Sequence, residues 1–546
     1  MTTPVETGSQ PESTEQTSDV LTPATALTSV IGTTLGPNGM DKMLVGSDGK
    51  VVVTNDGANI LDQLNIDDPI GNVIKHAADS QNTQVGDGTT TMVLLIGELL
   101  ETADSLLDDG LHPTTIIDGY REAATVAQQV LQDHTIEVTQ ETKISLVDIA
   151  KSAVTGRWDA ESTHRFGELA VSALHTVEFD RSRLTVRSYA GGELRDSECV
   201  DGILVDMDSS STSIDSIRTP NLDTQGHPNI VMIDDEFGVD VPDGVEAATI
   251  SDPTQLSQFR EHEEETRSEI VRTLRELETD VVICQKSIDE TVRSRLLQHG
   301  ILSVERTRQD EFDTIAKATG STPVRSIDEL SATAVGRAGS VERRAVGTTD
   351  TLAISGSPQA MRTSLLLRGG TPHVATEVKR IINDCLDVIQ LVHDERRVLP
   401  GGGAAAFTTS RTLSTYADSV SDKTQLAIDA YADALEGVPR TLASNAGCDP
   451  IDVLSTLRRS HHDGDTTMGV GHDGRPREMV TAGVVEPYSV FASALAGATE
   501  VVSTVLRIDD ILAADEAAAT ATPEHAEAEQ PPVQSDVGGY PWAIGH

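Results

Sequence analysis

A turn of glycine, aspartate and threonine residues is the segment of this sequence best suited to phosphate chemistry. Gly86, Asp87 and Gly88 precede three threonines, and an apolar helical pattern begins within those threonines. The free backbone N–H groups and the dipole at the start of a helix favour a bound phosphate. The Asp87 carboxylate offers the oxygen ligands that Mg²⁺ prefers. The segment therefore predicts a nucleotide phosphate site with its metal, and a helix start capped by threonine is the alternative.

Three further turns carry residues of similar types. Gly36 and Pro37 form a tight turn after a helical pattern, and glycine lets a ligand approach the backbone closely. Asp56 follows a β-branched run within an Asn-Asp-Gly sequence, which is also the ordinary composition of a turn. The glycine run 401–403 enters another helix, either as a flexible linker or as a backbone surface for a nucleotide. The sequence has no Gly-x-x-x-x-Gly-Lys-Ser/Thr motif, which disfavours a P-loop kinase or GTPase.

Four stretches with apolar residues at helical spacing flank these turns and predict helices. They cover residues 91–107, 113–134, 376–393 and 424–446. Between the second and third of these stretches, short β-like runs alternate with helical patterns. These runs cover residues 203–207, 229–233, 280–283 and 301–304. The alternation predicts an α/β domain inserted between two helical halves.

One helix of the inserted part has an unusual charge distribution. Pro253 suits the first turn of a helix that begins after Ser251 and Asp252. Residues 260–269 are almost wholly charged or polar, and the apolar spacing resumes at Ile270. The first half of this helix is therefore predicted to project from the core.

The chain is strongly acidic, which restricts its partners. Among 546 residues, 41 are Lys or Arg and 87 are Asp or Glu, which gives a formal net charge of −46. Nucleic acid and an anionic membrane are not expected as partners, because both are bound through basic patches. Since lysines are few, the acidic excess favours adaptation to high salt over an ordinary acidic cytosolic protein.

Both termini have the composition of disordered tails. Residues 1–18 are polar, and residues 513–546 begin with a tract rich in Ala, Glu, Thr and Pro. Residues 1–18 lack the basic and apolar regions of a signal peptide. The longest apolar runs, such as residues 92–100, are too short and too interrupted to span a bilayer. A cytoplasmic location is therefore expected.

Taken together, the segments closely resemble the group II chaperonins, which are the thermosome and its cytosolic eukaryotic relatives. The matching motifs are LGPNGMDKM (35–43), VTNDGANIL (53–61), VGDGTTTMV (85–93) and LPGGGAA (399–405). Further matches include DPTQLSQF (252–259), VVICQKSID (281–289) and LLLRGGTPHVATEVKRIINDCLDV (365–388). The resemblance covers nearly all of residues 35–512.

The resemblance implies a chaperonin fold of several domains, of the α and α/β classes. A mainly helical equatorial ATPase domain would comprise residues 1–140 and 399–546. A small intermediate domain would comprise residues 141–206 and 368–398. An inserted α/β apical domain would comprise residues 207–367, and the helix after Asp252 matches the helical protrusion that serves the family as a lid.

The resemblance also implies a function, which is the ATP-dependent folding of non-native proteins. Identical or paralogous subunits would form a double ring of eight- or nine-membered rings, and ATP hydrolysis would close the lid over the chamber. ATP and Mg²⁺ are the implied cofactors, and K⁺ is a further candidate. Neither nucleic acid nor a membrane is among the implied partners.

Carried over residue by residue, the family pattern assigns Asp56 and Asp384 to orienting the attacking water and Asp87 to ligating Mg²⁺. Two carboxylates around a water and a metal suffice, because phosphoryl transfer depends on positioning and charge neutralisation. Asp387 lies one turn along the same helix and is the alternative candidate for the role of Asp384. The family's spacing between this aspartate and the glycine run favours Asp384. Contacts with the nucleotide are implied for Gly36, Pro37, Gly86, Gly88, Thr89, Thr90, Thr91, Arg157, Gly402 and Glu486.

Two positions depart from the family pattern. Arg157 stands where the family usually has a Lys that senses the γ-phosphate, and a guanidinium is a planar fork instead of a point charge. Phe491 stands where a Lys usually contacts the nucleotide, so one contact is expected to be lost. These departures motivate the alternative of a specialised or structural ring subunit with slow ATP turnover. The retained aspartates, Asp56, Asp87 and Asp384, argue against this alternative. An unrelated ATP-using enzyme with a GDGTTT turn would leave the other matches unexplained.

Overall fold

The computed structural model describes most of the chain between residues 24 and 508. The described residues are 24–46, 49, 51–139, 142, 144–154, 156, 158–207, 227–238, 253–347, 349–356 and 362–508. For residues 253–259 and 262, only the backbone is described. Both predicted tails and Arg157 lie outside these ranges.

The first part of the chain is mainly helical. Its elements are α1 (24–32), β1 (Lys42–Val45), β2 (Val51–Thr54), α2 (Gly57–Gln63), α3 (Pro69–Val85), α4 (Thr89–Asp108), α5 (Pro113–Asp133) and β3 (Ile136–Glu137). Local sequence sets several helix starts, since Asp68 caps α3 and His112 caps α5, each followed by proline. The predictions of helices at 91–107 and 113–134 are confirmed.

The middle of the chain alternates strands and helices. Its elements are α6 (Leu146–Val154), α7 (Ala160–Thr176), β4 (Leu184–Ala190), β5 (Glu198–Asp201), β6 (Ile203–Asp206), β7 (Asn229–Ile233), α8 (Pro253–Glu276), β8 (Val281–Cys284), α9 (Glu290–Gln298), β9 (Leu302–Val304), α10 (Gln309–Thr319), β10 (Gly336–Arg337), β11 (Ser340–Val346) and β12 (Thr349–Ser355). Strands β7, β8 and β9 are parallel, and β10 pairs antiparallel with β7. Strands β11, β12 and β6 form an antiparallel sheet. All four predicted β-like runs are therefore strands, and the predicted alternation of strands and helices is confirmed.

Helix α8 has two different halves. Among its described side chains, the first buried apolar ones are Ile270, Val271 and Leu274. Before these residues, the described side chains from Arg260 onward are exposed or half-buried. The predicted change of character at Ile270 is thus confirmed, whereas the side chains of Leu256 and Phe259 lie outside the described part.

A second helix and sheet unit receives the chain as it leaves the inserted part. Its elements are β13 (Thr363–Gly369) and α11 (Pro372–Glu395). Strand β13 runs parallel to β4 and antiparallel to β5. Helix α11 joins this sheet and α6 and α7 in a separate hydrophobic core, which includes Phe166, Leu367 and Cys385. The predicted helix at 376–393 is confirmed.

The last part of the chain is again helical. Its elements are β14 (Arg397–Pro400), α12 (Ala404–Ala417), α13 (Thr424–Leu435), α14 (Gly437–Asn445), α15 (Pro450–His462), β15 (Met468–Val470), β16 (Pro476–Glu478), β17 (Val485–Pro487) and α16 (Tyr488–Val505). The predicted helical stretch over 424–446 is confirmed, but it forms two helices, α13 and α14, with a break at Glu436. Pro439 has no N–H for a helical hydrogen bond, and a Cβ on Gly437 would lie 2.4 Å from Glu98 Cδ.

The first and last parts share one large hydrophobic core. Helices α4, α5, α13 and α16 supply much of it, with Leu95, Tyr120, Tyr431 and Leu495 fully buried. Helix α16 is long and apolar enough to cross a membrane, but 61% of it is buried inside the protein, as in a core helix. The inserted part has cores of its own. The predicted combination of α and α/β parts is confirmed, and the exact domain boundaries stay a prediction.

Candidate active site

One cavity of about 300 Å³ brings the predicted site residues together. These residues belong to segments spread over most of the chain, so only the fold can place them around one space. The cavity is lined by Gly36, Pro37, Asp56, Gly86, Asp87, Gly88, Thr89, Thr90, Thr91, Asp384, Gly402 and Glu486, among others. Of the predicted set, Arg157 alone lies outside the described residues.

Helix α4 begins at this cavity without a side-chain cap. Gly88 is its N-cap residue with a φ of 81°, and Gly86 ends α3 with a φ of 74°. The Gly88 N–H donates to Asp87 Oδ1 at 2.7 Å, and Gln81 Nε2 donates to the Asp87 carbonyl oxygen at 2.9 Å. The alternative of a threonine-capped helix is therefore wrong. The N–H groups of the first turn have no side-chain cap and can donate to an anion in the cavity.

Two further glycines approach their neighbours so closely that a side chain would collide. Gly36 has a φ of 80°, and a Cβ there would lie 2.3 Å from Leu442 Cδ2. Gly402 has a φ of 61°, and a Cβ there would lie 2.6 Å from Met479 Sδ and 2.7 Å from the Val470 carbonyl oxygen. The glycine run 401–403 is therefore a fixed turn packed against β15, and the interpretation as a flexible linker is wrong.

The aspartates of two distant segments meet at Arg380. Asp56 caps α2, where its Oδ1 accepts a hydrogen bond from the Asn59 N–H at 2.8 Å. Asp384 lies on α11, and Arg380 lies one turn before it. The Arg380 Nη1 is 2.7 Å from Asp384 Oδ2 and 3.3 Å from Asp56 Oδ2. Burial lowers the pKa of Arg380, but the hydrogen bond to Glu377 and the charges of both aspartates outweigh it and raise the pKa above its ordinary value.

Asp387 has a different environment from Asp384, although both lie on α11. Its Oδ1 is 3.6 Å from Arg181 Nε, and it is absent from the described lining of the cavity. Burial raises the pKa of Asp387, and the charge of Arg181 opposes this. The geometry therefore separates the two aspartates that sequence spacing on one helix left as rivals.

Glu486 is an acid whose environment favours its neutral form. It lies on β17 opposite Leu399 of β14. Burial, and secondly the charge of Asp87, raise the pKa of Glu486 to about 8. A carboxyl group with this pKa keeps its proton near neutral pH, so it can donate as well as accept a hydrogen bond. Such a group suits a sugar hydroxyl.

Asn55 shows that the cavity is built for a polar occupant. Its side chain is 8% exposed, and its Oδ1 has no hydrogen-bond partner in the described part of the chain. A buried acceptor without a partner costs free energy. Because Asn55 lines the cavity, a bound ligand or its water can satisfy this oxygen. Sequence reasoning missed Asn55, although it directly precedes Asp56.

The donor set fits a metal that arrives with a nucleotide. Within the described ranges, no three or more His, Cys, Asp or Glu residues are grouped so that they could share a metal ion. Mg²⁺ commonly takes one or two protein carboxylates and completes its octahedron with substrate phosphates and water. Asp87, at the phosphate turn, is placed to supply such a carboxylate.

Phe491 contributes apolar surface to the same cavity. Its side chain is 2% exposed and belongs to the large helical core. A buried aromatic ring at this position cannot supply the charge of the Lys that the family usually has there. The expected loss of one nucleotide contact stays a prediction.

Comparisons with known proteins identify the family. A model described as the TCP-1/cpn60 chaperonin family matches residues 27–516. The chain is 39% identical over 503 residues to thermosome subunit alpha of Halobacterium salinarum, which covers 91% of this chain and 88% of that protein. It is 40% identical over 499 residues to thermosome subunit 1 of Haloferax volcanii, with 90% and 88% covered. Thermosome subunit alpha of Thermoplasma acidophilum is 36% identical over 499 residues, with 90% of each chain covered. The resemblance drawn from the motifs is confirmed, and the chain belongs to the TCP-1/cpn60 chaperonin family.

Proposed function

We propose that this chain is a subunit of an ATP-driven ring chamber that folds non-native proteins. One observation carries the proposal: a chaperonin-family chain gathers its glycine turns, threonine hydroxyls and aspartates around a single cavity. ATP is the proposed ligand, Mg²⁺ the proposed metal, and K⁺ a further candidate. The equatorial, intermediate and apical domains are proposed with the boundaries that the family resemblance implies.

Nucleotide binding is assigned to the turns around the cavity. The first N–H groups of α4 and the hydroxyls of threonines 89–91 donate to the phosphate oxygens, because this helix start has no side-chain cap. The turn at Gly36 and Pro37 lines the same phosphates. Gly402 meets the adenosine, and Glu486, which holds a proton near neutral pH, binds the ribose.

Hydrolysis is assigned to the aspartates. Asp87 holds Mg²⁺, which neutralises charge on the transferred phosphoryl group when it is bound. Asp56 and Asp384 accept hydrogen bonds from the attacking water and orient it. Because neither belongs to the phosphate turn, nucleotide binding and hydrolysis should be separable by mutation.

Assembly is assigned in part to the β1–β2 hairpin. Its Met43 and Val45 side chains are 70% and 67% exposed, and Val53 is 49% exposed. Within the described part of the chain the hairpin is a sheet of two strands only, and exposed apolar side chains on such a ribbon favour contact with another chain. We assign to this hairpin a contact between identical or paralogous subunits in a double ring of eight- or nine-membered rings.

Lid closure is assigned to α8. None of its described side chains between Arg260 and Glu269 is buried, whereas Ile270, Val271 and Leu274 are, which supports a projecting element. Non-native proteins are the proposed clients. The net charge of −46 supports a cytoplasm with high salt and disfavours nucleic acid and membranes as partners.

The direct test is ATP hydrolysis and refolding by purified protein sized by gel filtration in a buffer with high K⁺ and Mg²⁺. We expect a ring-sized fraction that hydrolyses ATP and refolds a denatured reporter enzyme, with both activities lost when Mg²⁺ is chelated. A ring that binds ATP but barely hydrolyses it would support the alternative of a specialised subunit, which the retained aspartates disfavour. A monomeric protein that uses ATP to convert a small molecule to a product would contradict the proposal.

A further inference from the structure

Arg380 connects the two aspartates to which the proposed function assigns the attacking water. Its Nη1 contacts Oδ2 of Asp384 at 2.7 Å and Oδ2 of Asp56 at 3.3 Å. A single nitrogen thus contacts carboxylates from α11 and from the start of α2. The shared cation sets the distance between the two carboxylates, which would otherwise repel each other.

The guanidinium is held from its other side by Glu377. Arg380 Nε donates to Glu377 Oε2 at 3.1 Å, and Nη2 donates to Oε1 at 2.7 Å. A bidentate pair of this kind fixes the plane of the guanidinium and leaves Nη1 directed at the aspartates. The Arg380 side chain is 22% exposed, so these ion pairs are less screened by salt than pairs on the open surface.

The two aspartates are anchored differently. Asp56 is fixed in the equatorial part of the chain, because its Oδ1 caps α2 while Oδ2 faces Arg380. Asp384 is carried by α11, whose apolar face packs in a separate core with α6, α7 and β13. The contact through Arg380 therefore ties α11 to the segment that begins α2.

We propose that Arg380 is a positioning residue for ATP hydrolysis. It holds Asp384 beside Asp56 so that both carboxylates address one water, and it forms this arrangement only when α11 is docked at the cavity. Arg380 acts through the aspartates and contacts neither nucleotide nor water in this scheme. Glu377 acts through Arg380 by fixing its plane. The inference rests on the proposed function and adds the element that couples helix docking to hydrolysis.

The test separates turnover from binding in Arg380→Gln, Arg380→Lys and a matched control, Arg344→Gln. Arg344 also contacts two carboxylates, Glu198 and Glu342, and none of the three lines the cavity. We expect Arg380→Gln to lower kcat about tenfold to a hundredfold, as displaced catalytic groups do, while the Kd for ATP changes less than about threefold. Arg380→Lys keeps the charge without the fork and should have an intermediate kcat. Arg344→Gln should keep the wild-type kcat.

A wild-type kcat in Arg380→Gln, or a loss of ATP affinity as large as the loss of kcat, would overturn the inference. If Arg380→Gln does not fold, Glu377→Gln decides, because it weakens the bidentate anchor of the guanidinium and leaves Arg380 in place. That variant should lower kcat about threefold through looser positioning, and an unchanged kcat would overturn the inference. If the wild-type protein itself does not hydrolyse ATP, the proposed function fails together with the inference. If the wild type hydrolyses ATP and only the variants behave differently from the prediction, the inference about Arg380 fails and the proposed function stands.

Discussion

Two arginine–carboxylate clusters in this protein differ in their charge balance. In the inserted part, Arg293 Nη1 lies 2.7 Å from Glu305 Oε1, and Glu305 Oε2 accepts a hydrogen bond from the Ile288 N–H at 2.8 Å. One cation there faces one anion, and both side chains are largely buried. At the cavity, Arg380 faces three carboxylates, and the described lining adds the carboxylate of Asp87 but no Lys or Arg, while Glu486 there keeps its proton near neutral pH.

The difference distinguishes an ion pair that stabilises the fold from a group of carboxylates whose charge a bound ligand can balance. A balanced buried pair is neutral overall, and here both Glu305 oxygens are hydrogen-bonded, although Arg293 Nε has no partner in the described part of the chain. An acid-rich cavity costs free energy through repulsion among its carboxylates, unless a cation enters with the ligand. The cavity is therefore suited to a metal-bound nucleotide, and the two clusters should respond to mutation in different ways.

The largest effect is expected for the balanced pair. Arg293→Ala leaves the buried Glu305 without its cation, and this should lower the free energy of unfolding by about 3–5 kcal/mol. Chemical denaturation followed by circular dichroism measures the loss. Arg272→Ala is the control, because Arg272 pairs with Glu269 on an exposed surface, and it should cost about 1 kcal/mol or less. Equal losses of unfolding free energy in the two variants would contradict the idea that the buried pair stabilises the fold more than the exposed pair does.

A mutation of Asp87 is expected to have a smaller effect in free energy, and this effect should appear in the Mg²⁺ requirement of hydrolysis. Asp87→Asn keeps the size of the side chain and removes the charge that draws Mg²⁺. The Mg²⁺ concentration for half-maximal hydrolysis should rise at least about tenfold, which corresponds to ~1.4 kcal/mol, with little change in the free energy of unfolding. Titration of hydrolysis with Mg²⁺ measures the shift. An unchanged metal requirement would place the ligand elsewhere.

The smallest effect is expected for the pH dependence that Glu486 contributes. Its pKa is raised from 4.5 to about 8 by burial and by the charge of Asp87. The folded protein therefore holds this proton more tightly than the unfolded chain, so the contribution to stability falls as the pH rises from near 4.5 through about 8. Glu486→Gln stays neutral and should remove this decline. Tm values from about pH 6 to about pH 9, measured without nucleotide and with a chelator, should fall more steeply for the wild type than for the variant, and parallel curves would contradict the assignment.

Local sequence rules predict much of the fold. The helices at 91–107, 113–134 and 376–393 have regular apolar spacing, and capping residues or proline begin the latter two. The helical stretch predicted over 424–446 is divided into α13 and α14, and Gly437 and Pro439, which lie inside it, could have indicated the break.

The candidate site shows where sequence reasoning stops. The resemblance supplies a residue set, and all its described members line one cavity. The spacing of Glu377, Arg380 and Asp384 on a helix could have indicated mutual ion pairs. The contact between Arg380 and Asp56 could not be inferred, because it joins segments whose approach depends on how α11 packs. The unpartnered Asn55 oxygen is likewise visible only once its surroundings are known.

The most direct test of the central claim compares two aspartates on one helix. Asp384→Ala and Asp387→Ala each remove one carboxylate from α11, but only Asp384 lines the cavity and contacts Arg380. We predict that ring-sized Asp384→Ala binds ATP with nearly wild-type affinity and hydrolyses almost none, while Asp387→Ala keeps most of the turnover. Wild-type hydrolysis by Asp384→Ala, or equal losses in both variants, would contradict this prediction.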